Sequence, residues 1–189
     1  MGRAARSLAM PRPIWTRRWE EGMVFIVAHV EVATSPERVW QLLMDFDRYP
    51  EWHPFAEMGG IAAEGSELSY AVRHKPKASR LVRSEATITR LEPTAHFALK
   101  LGVPGMSWVN EWYGLEAIES GTRLTHGFEF RGFLSIVAHF SRKRMTNYCL
   151  APILGLARRF AKLPRKPTAP AKPVRRGGLR PPNVRRRRR

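Results

Sequence analysis

Cysteine, acidic residues and long apolar runs are all scarce in this chain of 189 residues. The single cysteine, Cys149, excludes an internal disulfide and fits a reducing compartment, so we expect a cytoplasmic protein. The longest purely apolar run near the N-terminus, residues 23–28, is far shorter than the roughly 20 residues of a membrane-spanning helix. Residues 1–22 contain arginines but no continuous apolar stretch, a composition that excludes a secretory signal.

Motifs of familiar catalytic chemistry are also missing. The six histidines are scattered along the chain, without metal-ligand spacing such as HxxxH and without partner cysteines. The sequence contains no GxSxG, no phosphate-binding glycine loop and no Cys–His nucleophile pattern. We therefore expect neither a metal nor an obligatory cofactor.

Acidic residues are missing above all from the C-terminus. Residues 164–189 hold 11 lysines and arginines and no acid, whereas residues 23–163 hold 17 basic and 14 acidic side chains. The proline, glycine and arginine content of the tail predicts disorder. Its last five residues suit non-specific contact with nucleic acid or an anionic membrane, and a merely solvated tail is the alternative. These residues are Arg185, Arg186, Arg187, Arg188 and Arg189.

The distribution of charge divides the chain into three parts. Residues 1–22 form an N-terminal extension that we expect to be disordered, and an arginine-rich transit peptide is the alternative. Residues 23–163 have an ordinary composition and are long enough to bury a core, so they form the predicted domain. Residues 164–189 form the basic tail.

The segment Ala33 to Phe55, ATSPERVWQLLMDFDRYPEWHPF, has the clearest local pattern. Ser35 is a natural N-cap and Pro36 falls at the first helical position. Apolar residues then follow at i, i+3, i+4 and i+7, which predicts an amphipathic helix. These are Val39, Leu42, Leu43 and Phe46. Prolines at 50 and 54 predict that helical structure ends within residues 45–55, which should contain one short helical turn.

The rest of the domain changes from a strand pattern to a helix pattern. Residues 24–33 predict one strand before the helix, and about six more follow between residues 55 and 131, with turns short enough for antiparallel hairpins. From Phe133 to Leu163 the apolar spacing becomes helical, and Pro152 predicts a kink or break near 148–152. An antiparallel sheet with helices on one face is an α+β arrangement.

Two of these segments carry a family resemblance. ATSPERVWQLLMDFDRYPEWHPF near the front and GTRLTHGFEFRGFL before the last helix resemble the SRPBCC superfamily over residues 24–162. This group includes START-related lipid-binding domains, polyketide cyclase/dehydrase-like proteins, Bet v 1-like proteins and ubiquinone chaperones. The resemblance implies a helix-grip fold, in which a curved antiparallel sheet of about seven strands wraps a long C-terminal helix. Two short helices follow the first strand, and an apolar cavity lies between sheet and helix.

The resemblance also implies which side chains line that cavity. Inward residues of the strands and of the last helix would contact a ligand, with two aromatic residues near the mouth, and core packing is the alternative for each. The candidates are Trp52, Phe55, Tyr70, Val72, Phe97, Leu99, Trp112, Leu124, Phe128, Met145 and Cys149. The inward face of residues 108–113 stays open, because both alternating sets carry aromatics and one residue of register exchanges them.

Three functions compete at this point. The first is binding or transport of a small hydrophobic ligand, such as a lipid, quinone or aromatic metabolite. The second is a polyketide cyclase/dehydrase-like enzyme that uses the same cavity, with His126 as the acid–base candidate because it lies on the predicted inner face. The third is an interaction protein whose arginine-rich tail docks to RNA or an anionic membrane.

Overall fold

The computed structural model describes residues 14–20, 23–76, 78–103 and 105–162. Within these residues, eight strands and four α-helices follow one another, with a short 3-10 turn at Phe46–Arg48. The first part contains β1 (Ile14–Glu20), β2 (Met23–Val32), α1 (Pro36–Met44), α2 (Tyr49–Trp52) and β3 (Ala56–Gly59). The second contains β4 (Glu67–Arg73), β5 (Leu81–Glu92), β6 (His96–Val103), β7 (Ser107–Ile118), β8 (Gly121–Gly132), α3 (Phe133–Phe140) and α4 (Arg142–Lys162).

All the strands belong to one antiparallel, curved sheet. Its order is β1-β2-β8-β7-β6-β5-β4-β3, so the first strand of the domain lies beside the last. β2 pairs with β8 from Val24 opposite Phe130 to Val32 opposite Thr122. α4 packs on the concave face, mainly against β2 and β8. The predicted α+β class and helix-grip architecture are confirmed.

Strand β2 shows why the sheet has one buried face. Its side chains alternate, and every second residue from Val24 to Val32 is buried while the residues between are more exposed. The buried set joins a single core with apolar residues of α1 and α4. A strand with one packed and one solvated face is typical of antiparallel sheets.

The sheet has one strand more than the resemblance implied. The seven expected strands are β2 to β8, and Ile14–Glu20 adds an eighth at the edge, paired with Met23–His29. Disorder, expected for the whole of residues 1–22, is therefore wrong for this stretch. The other residues of that extension, and the basic tail 164–189 with Arg185–Arg189, lie outside the described residues.

The helices agree with the sequence pattern in one case and differ in another. α1 begins at Pro36 after the N-cap Ser35 and buries its apolar stripe, as predicted. A kink or break was expected near 148–152, and the break is wrong, because α4 continues through Pro152. The interruption lies at Ser141, whose N–H donates to the Val137 carbonyl and whose own carbonyl accepts from the N–H groups of Arg144 and Met145. Within the described chain, no helix has both the length and the apolar character to cross a membrane.

Candidate functional site

A buried carboxylate lies at the centre of the concave face. Glu111 of β7 is fully buried and accepts hydrogen bonds from Tyr70 Oη (2.8 Å) and Tyr113 Oη (3.1 Å). The third partner is His126, whose Nε2 lies 2.9 Å from Glu111 Oε1. Sheet register explains the assembly, since Tyr113 of β7 is directly opposite His126 of β8, and alternate residues of a strand share a face.

His126 also connects the sheet to the last helix. Its Nδ1 donates to the backbone carbonyl of Cys149 in α4 over 2.7 Å, and the Cys149 thiol donates to the His126 carbonyl over 3.0 Å. The imidazole stacks on the Tyr113 ring at 4.2 Å between centroids. We call Tyr70, Glu111, Tyr113, His126 and Cys149 the polar centre. Every polar side-chain atom of its histidine and its carboxylate has a partner.

The polar centre holds an ion pair. Burial disfavours the charged imidazole, but the contacts with Cys149 and Glu111 outweigh it and raise the pKa of His126 to about 10. Burial also disfavours the charged carboxylate, yet the hydrogen bond from His126 and its positive charge hold the pKa of Glu111 below its ordinary value. His126 is therefore protonated and donates through both nitrogens. In this arrangement it has no free nitrogen to offer a substrate.

A second buried cluster follows α1 and has the opposite character. The rings of Tyr49, Trp52 and His53 contact one another, with centroids 4.5 Å (Tyr49–Trp52), 5.8 Å (Tyr49–His53) and 5.4 Å (Trp52–His53) apart. Tyr49 Oη, Trp52 Nε1 and His53 Nε2 are buried and find no hydrogen-bond partner. We call these three residues the donor cluster.

The backbone around His53 decides which of its nitrogens carries the proton. Nδ1 accepts from the N–H of Ala56 at 2.7 Å and more weakly from that of Phe55 at 3.3 Å. A neutral imidazole that accepts at Nδ1 must carry its hydrogen on Nε2. Burial lowers the pKa of His53 to about 3, so the ring stays neutral. The unpartnered Nε2 is therefore a donor, as is the indole nitrogen of Trp52.

An open cleft of about 810 Å³ adjoins the donor cluster. Its walls come from residues 50–54, from the turn between β4 and β5, and from residues 151–159 of α4. α4 approaches closely here because Gly155 has no side chain: a Cβ atom would lie 2.0 Å from the Trp52 carbonyl oxygen. Arg159 and Glu51 form an ion pair across the cleft.

The predicted cavity-lining residues divide into groups. Phe97, Leu99, Leu124 and Cys149 are 0% exposed, which leaves no room for a water molecule against them. Tyr70 is also buried and belongs to the polar centre, whereas Val72, Phe128 and Met145 are partly buried against the core. Only Trp52 of the predicted set lines the cleft, and Phe55 packs on Tyr148 close by. Ligand contact by these residues stays a prediction.

One member of the set is on the wrong side of the sheet. Trp112 lies on the outer face, stacked on His96 and covering Gly127, because the alternation of β7 turns Glu111 and Tyr113 inward. A Cβ on Gly127 would lie 2.3 Å from the indole, so the glycine makes room for the ring. The prediction that Trp112 lines the interior is wrong.

Sequence reasoning missed Glu111, Tyr49 and His53. The pattern around Glu111 was available: an acid that shares its alternation with Tyr113 on a strand next to the one carrying His126. For Tyr49 and His53 no such pattern exists, because their role depends on polar atoms that have no partner. Among the described residues, no group of three or more His, Cys, Asp or Glu side chains is placed to hold a metal ion.

The family model for polyketide cyclase/dehydrase and lipid transport proteins matches residues 23–161. The chain belongs to this family. The matched residues contain the polar centre, the donor cluster and the cleft, so all three features lie within the family domain. A search of curated protein sequences found no match.

Solved structures share the fold of this polyketide cyclase/dehydrase family member. A protein from Arthrobacter aurescens is 16% identical with a TM-score of 0.60, covering 79% of this chain and 92% of its own. Protein Ms6760 from Mycobacterium smegmatis is 14% identical with a TM-score of 0.60, covering 77% and 94%. DynU16, a putative protein in the dynemicin biosynthetic locus, is 16% identical with a TM-score of 0.58, covering 73% and 47%. At these identities the likeness shows the fold alone.

Proposed function

We propose that this protein binds a small, largely apolar molecule in the cleft between α2, the β4–β5 turn and α4. The cleft itself carries the proposal, because its volume of about 810 Å³ lies within the range of about 300–1,000 Å³ that small-molecule sites occupy. Membership of a family that includes lipid transport proteins supports the same function.

The lining of the cleft suits such a ligand. Pro50, Pro54 and Leu154 supply apolar surface, and Trp52 also lines the cleft. Charged groups, such as Arg158, stand among these apolar walls. Apolar walls with a few polar groups that orient the guest are the usual composition of a ligand pocket.

The interior behind the cleft favours binding over acid–base catalysis. His126 donates through both ring nitrogens and is fully buried, so the residue proposed as catalyst is occupied within the protein. A general base must reach the proton that it removes, directly or through one water. Catalysis by His126 stays a prediction that this geometry does not favour.

The experiment places a large side chain on one wall of the cleft. Ala151 lines the cleft on α4, whereas Ala161 is exposed on the same helix and does not line it. The full-length wild type, Ala151→Trp and Ala161→Trp are each titrated with 1-anilinonaphthalene-8-sulfonate, an aromatic dye with one sulfonate group, and followed by its fluorescence. Wild type and Ala161→Trp should bind one dye with the same affinity, and Ala151→Trp at least tenfold more weakly.

Thermal unfolding of the three proteins provides the control for folding. Equal dye binding by all three would place the dye elsewhere and contradict the proposal. Absence of binding to the wild type at dye concentrations up to the millimolar range would contradict it as well.

A further inference from the structure

We propose that the donor cluster recognises a carbonyl oxygen carried by the apolar ligand, as in a ketone, a quinone or a carboxylic acid. This inference rests on the proposed function, because it specifies which chemical group of the ligand lies against Trp52 and His53 in the cleft. It comes from three buried polar atoms that the protein leaves without partners.

Chemistry defines what can pair with these atoms. Trp52 Nε1 and His53 Nε2 are donors only, and the hydroxyl of Tyr49 can donate as well. A group that satisfies all three must therefore accept hydrogen bonds. A carbonyl oxygen has two lone pairs and no hydrogen, so it accepts without competing as a donor.

The distribution of unpartnered atoms is the second argument. Among the described residues, the buried side-chain nitrogens and oxygens that find no partner are these three, and they belong to one set of touching rings. Each such atom destabilises the folded state as long as it stays unpaired. Buried polar groups elsewhere, such as the Glu111 carboxylate, are fully paired. Unpaired polar atoms concentrated in one cluster indicate a site whose hydrogen-bond partner is a bound ligand.

Position is the third argument. Trp52 and His53 both line the cleft, although they are only 4% and 3% exposed. The donor atoms of these two residues are buried behind the wall of the cleft, and a ligand reaches them when the side chains shift. The acid that lines the cleft, Glu51, is exposed and paired with Arg159.

A matched pair of probes tests the inference. 2-Acetylnaphthalene and 2-ethylnaphthalene have nearly the same shape, but only the first has a carbonyl oxygen. Their dissociation constants with the full-length protein are measured by calorimetry. We expect the ketone to bind about tenfold more tightly, since a tenfold ratio corresponds to about 1.4 kcal/mol.

Three variants each take one donor atom away from its position. Tyr49→Phe and Trp52→Phe remove the donor and keep an aromatic ring. In His53→Asn the amide oxygen can still accept from the Ala56 N–H, and the amide nitrogen lies nearer the backbone than the histidine Nε2 does. Each should reduce the ratio between the two probes about threefold or more, chiefly by weakening the ketone. Trp112→Phe on the outer face of the sheet is the matched control and should leave the ratio unchanged.

The outcomes separate the inference from the proposed function. If both probes bind with equal affinity, and Ala151→Trp weakens both, the cleft binds ligands but the donor cluster has only ordered water as its partner; the inference is then overturned. If neither probe binds the wild type, the proposed function itself fails. A ratio that falls in all variants, including Trp112→Phe, would also overturn the inference.

Discussion

The polar centre and the donor cluster are built from similar residues and reach opposite electrostatic states. Each contains a fully or almost fully buried histidine among tyrosines or tryptophan. In the polar centre the pKa of His126 is raised to about 10, whereas burial lowers the pKa of His53 in the donor cluster to about 3. The difference shows that burial alone does not set the charge of a histidine. A carboxylate and a carbonyl in direct contact reverse the effect of burial.

The two regions also differ in what they contribute to the fold. The polar centre joins β4, β7, β8 and α4 through hydrogen bonds that are all satisfied. The donor cluster holds its rings by packing and leaves three polar atoms unpaired. In the first arrangement the buried histidine and carboxylate are fully paired, whereas the second lowers the stability of the native state until a partner is present.

The largest expected effect concerns the ion pair of the polar centre. His126→Leu should lower the free energy of unfolding by about 3–5 kcal/mol, because it leaves the Glu111 carboxylate buried without its charged partner. Glu111→Leu should have a similar cost. The double variant should be less destabilised than the sum of the two, since neither charge is then left alone. Urea unfolding of the four proteins measures this coupling, and strict additivity would show that the two groups are independent.

The second prediction concerns the pH dependence of stability and compares the contributions of the two histidines. His126 keeps its proton in the native state up to a pKa of about 10, while the unfolded chain loses it above about 6.5. Stability from His126 is therefore complete below pH 6.5 and is lost as the pH rises toward 10. His53 stays neutral in the native state down to about pH 3, so its contribution is complete above pH 6.5 and is lost as the pH falls. Each contribution changes by about 1.4 kcal/mol per pH unit.

Variants distinguish the two limbs of the curve of unfolding free energy against pH, the acid limb assigned to His53 and the alkaline limb assigned to His126. In urea unfolding between pH 4 and pH 10, His53→Asn should flatten the acid limb and keep the alkaline limb. His126→Leu should flatten the alkaline limb. Glu111 adds to the acid side below about pH 4.5, because its pKa is lowered in the native state. Parallel stability curves for wild type and either variant would show that the histidine in question does not have the charge assigned to it.

The third and smallest effect compares two buried tyrosines. Tyr70 donates to the charged Glu111, so Tyr70→Phe should cost about 1.5–3 kcal/mol. Tyr49 has an unpaired buried hydroxyl, so Tyr49→Phe should leave stability unchanged or raise it by about 1 kcal/mol in the ligand-free protein. Thermal and urea unfolding of both variants make the comparison. An equal loss in the two would mean that Tyr49 Oη has a partner after all.

Local pattern was enough to predict the secondary structure that builds these regions. Ser35, Pro36 and the apolar stripe located α1, and the short turns indicated an antiparallel sheet. These features depend on neighbours within a few residues. The helix-grip arrangement came from the resemblance of two segments, because the pairing of β2 with β8 joins parts of the chain that share no local pattern.

The site was harder to predict because it depends on register and on shape. Trp112 and Glu111 are adjacent, and nothing in the alternation alone shows which of them faces inward. A proline inside a helix usually kinks or breaks it, yet α4 continues through Pro152. The interior positions 97, 99 and 124 were expected to border a void, but the packing of large side chains fills the space against them. Packing of this kind is a property of all the neighbours together.

The adjacency of β2 and β8 has a consequence for how the protein folds. The two strands that flank the middle of α4 come from opposite ends of the domain, so Val24 meets Phe130 only after nearly the whole domain has been synthesised. Closing such a long loop costs conformational entropy before the contacts between the two strands can stabilise it. Folding should therefore be slow for a domain of this size. β2 and β8 can pair only after the ribosome has released β8, so the edge of β2 that pairs with β8 stays unpaired until then.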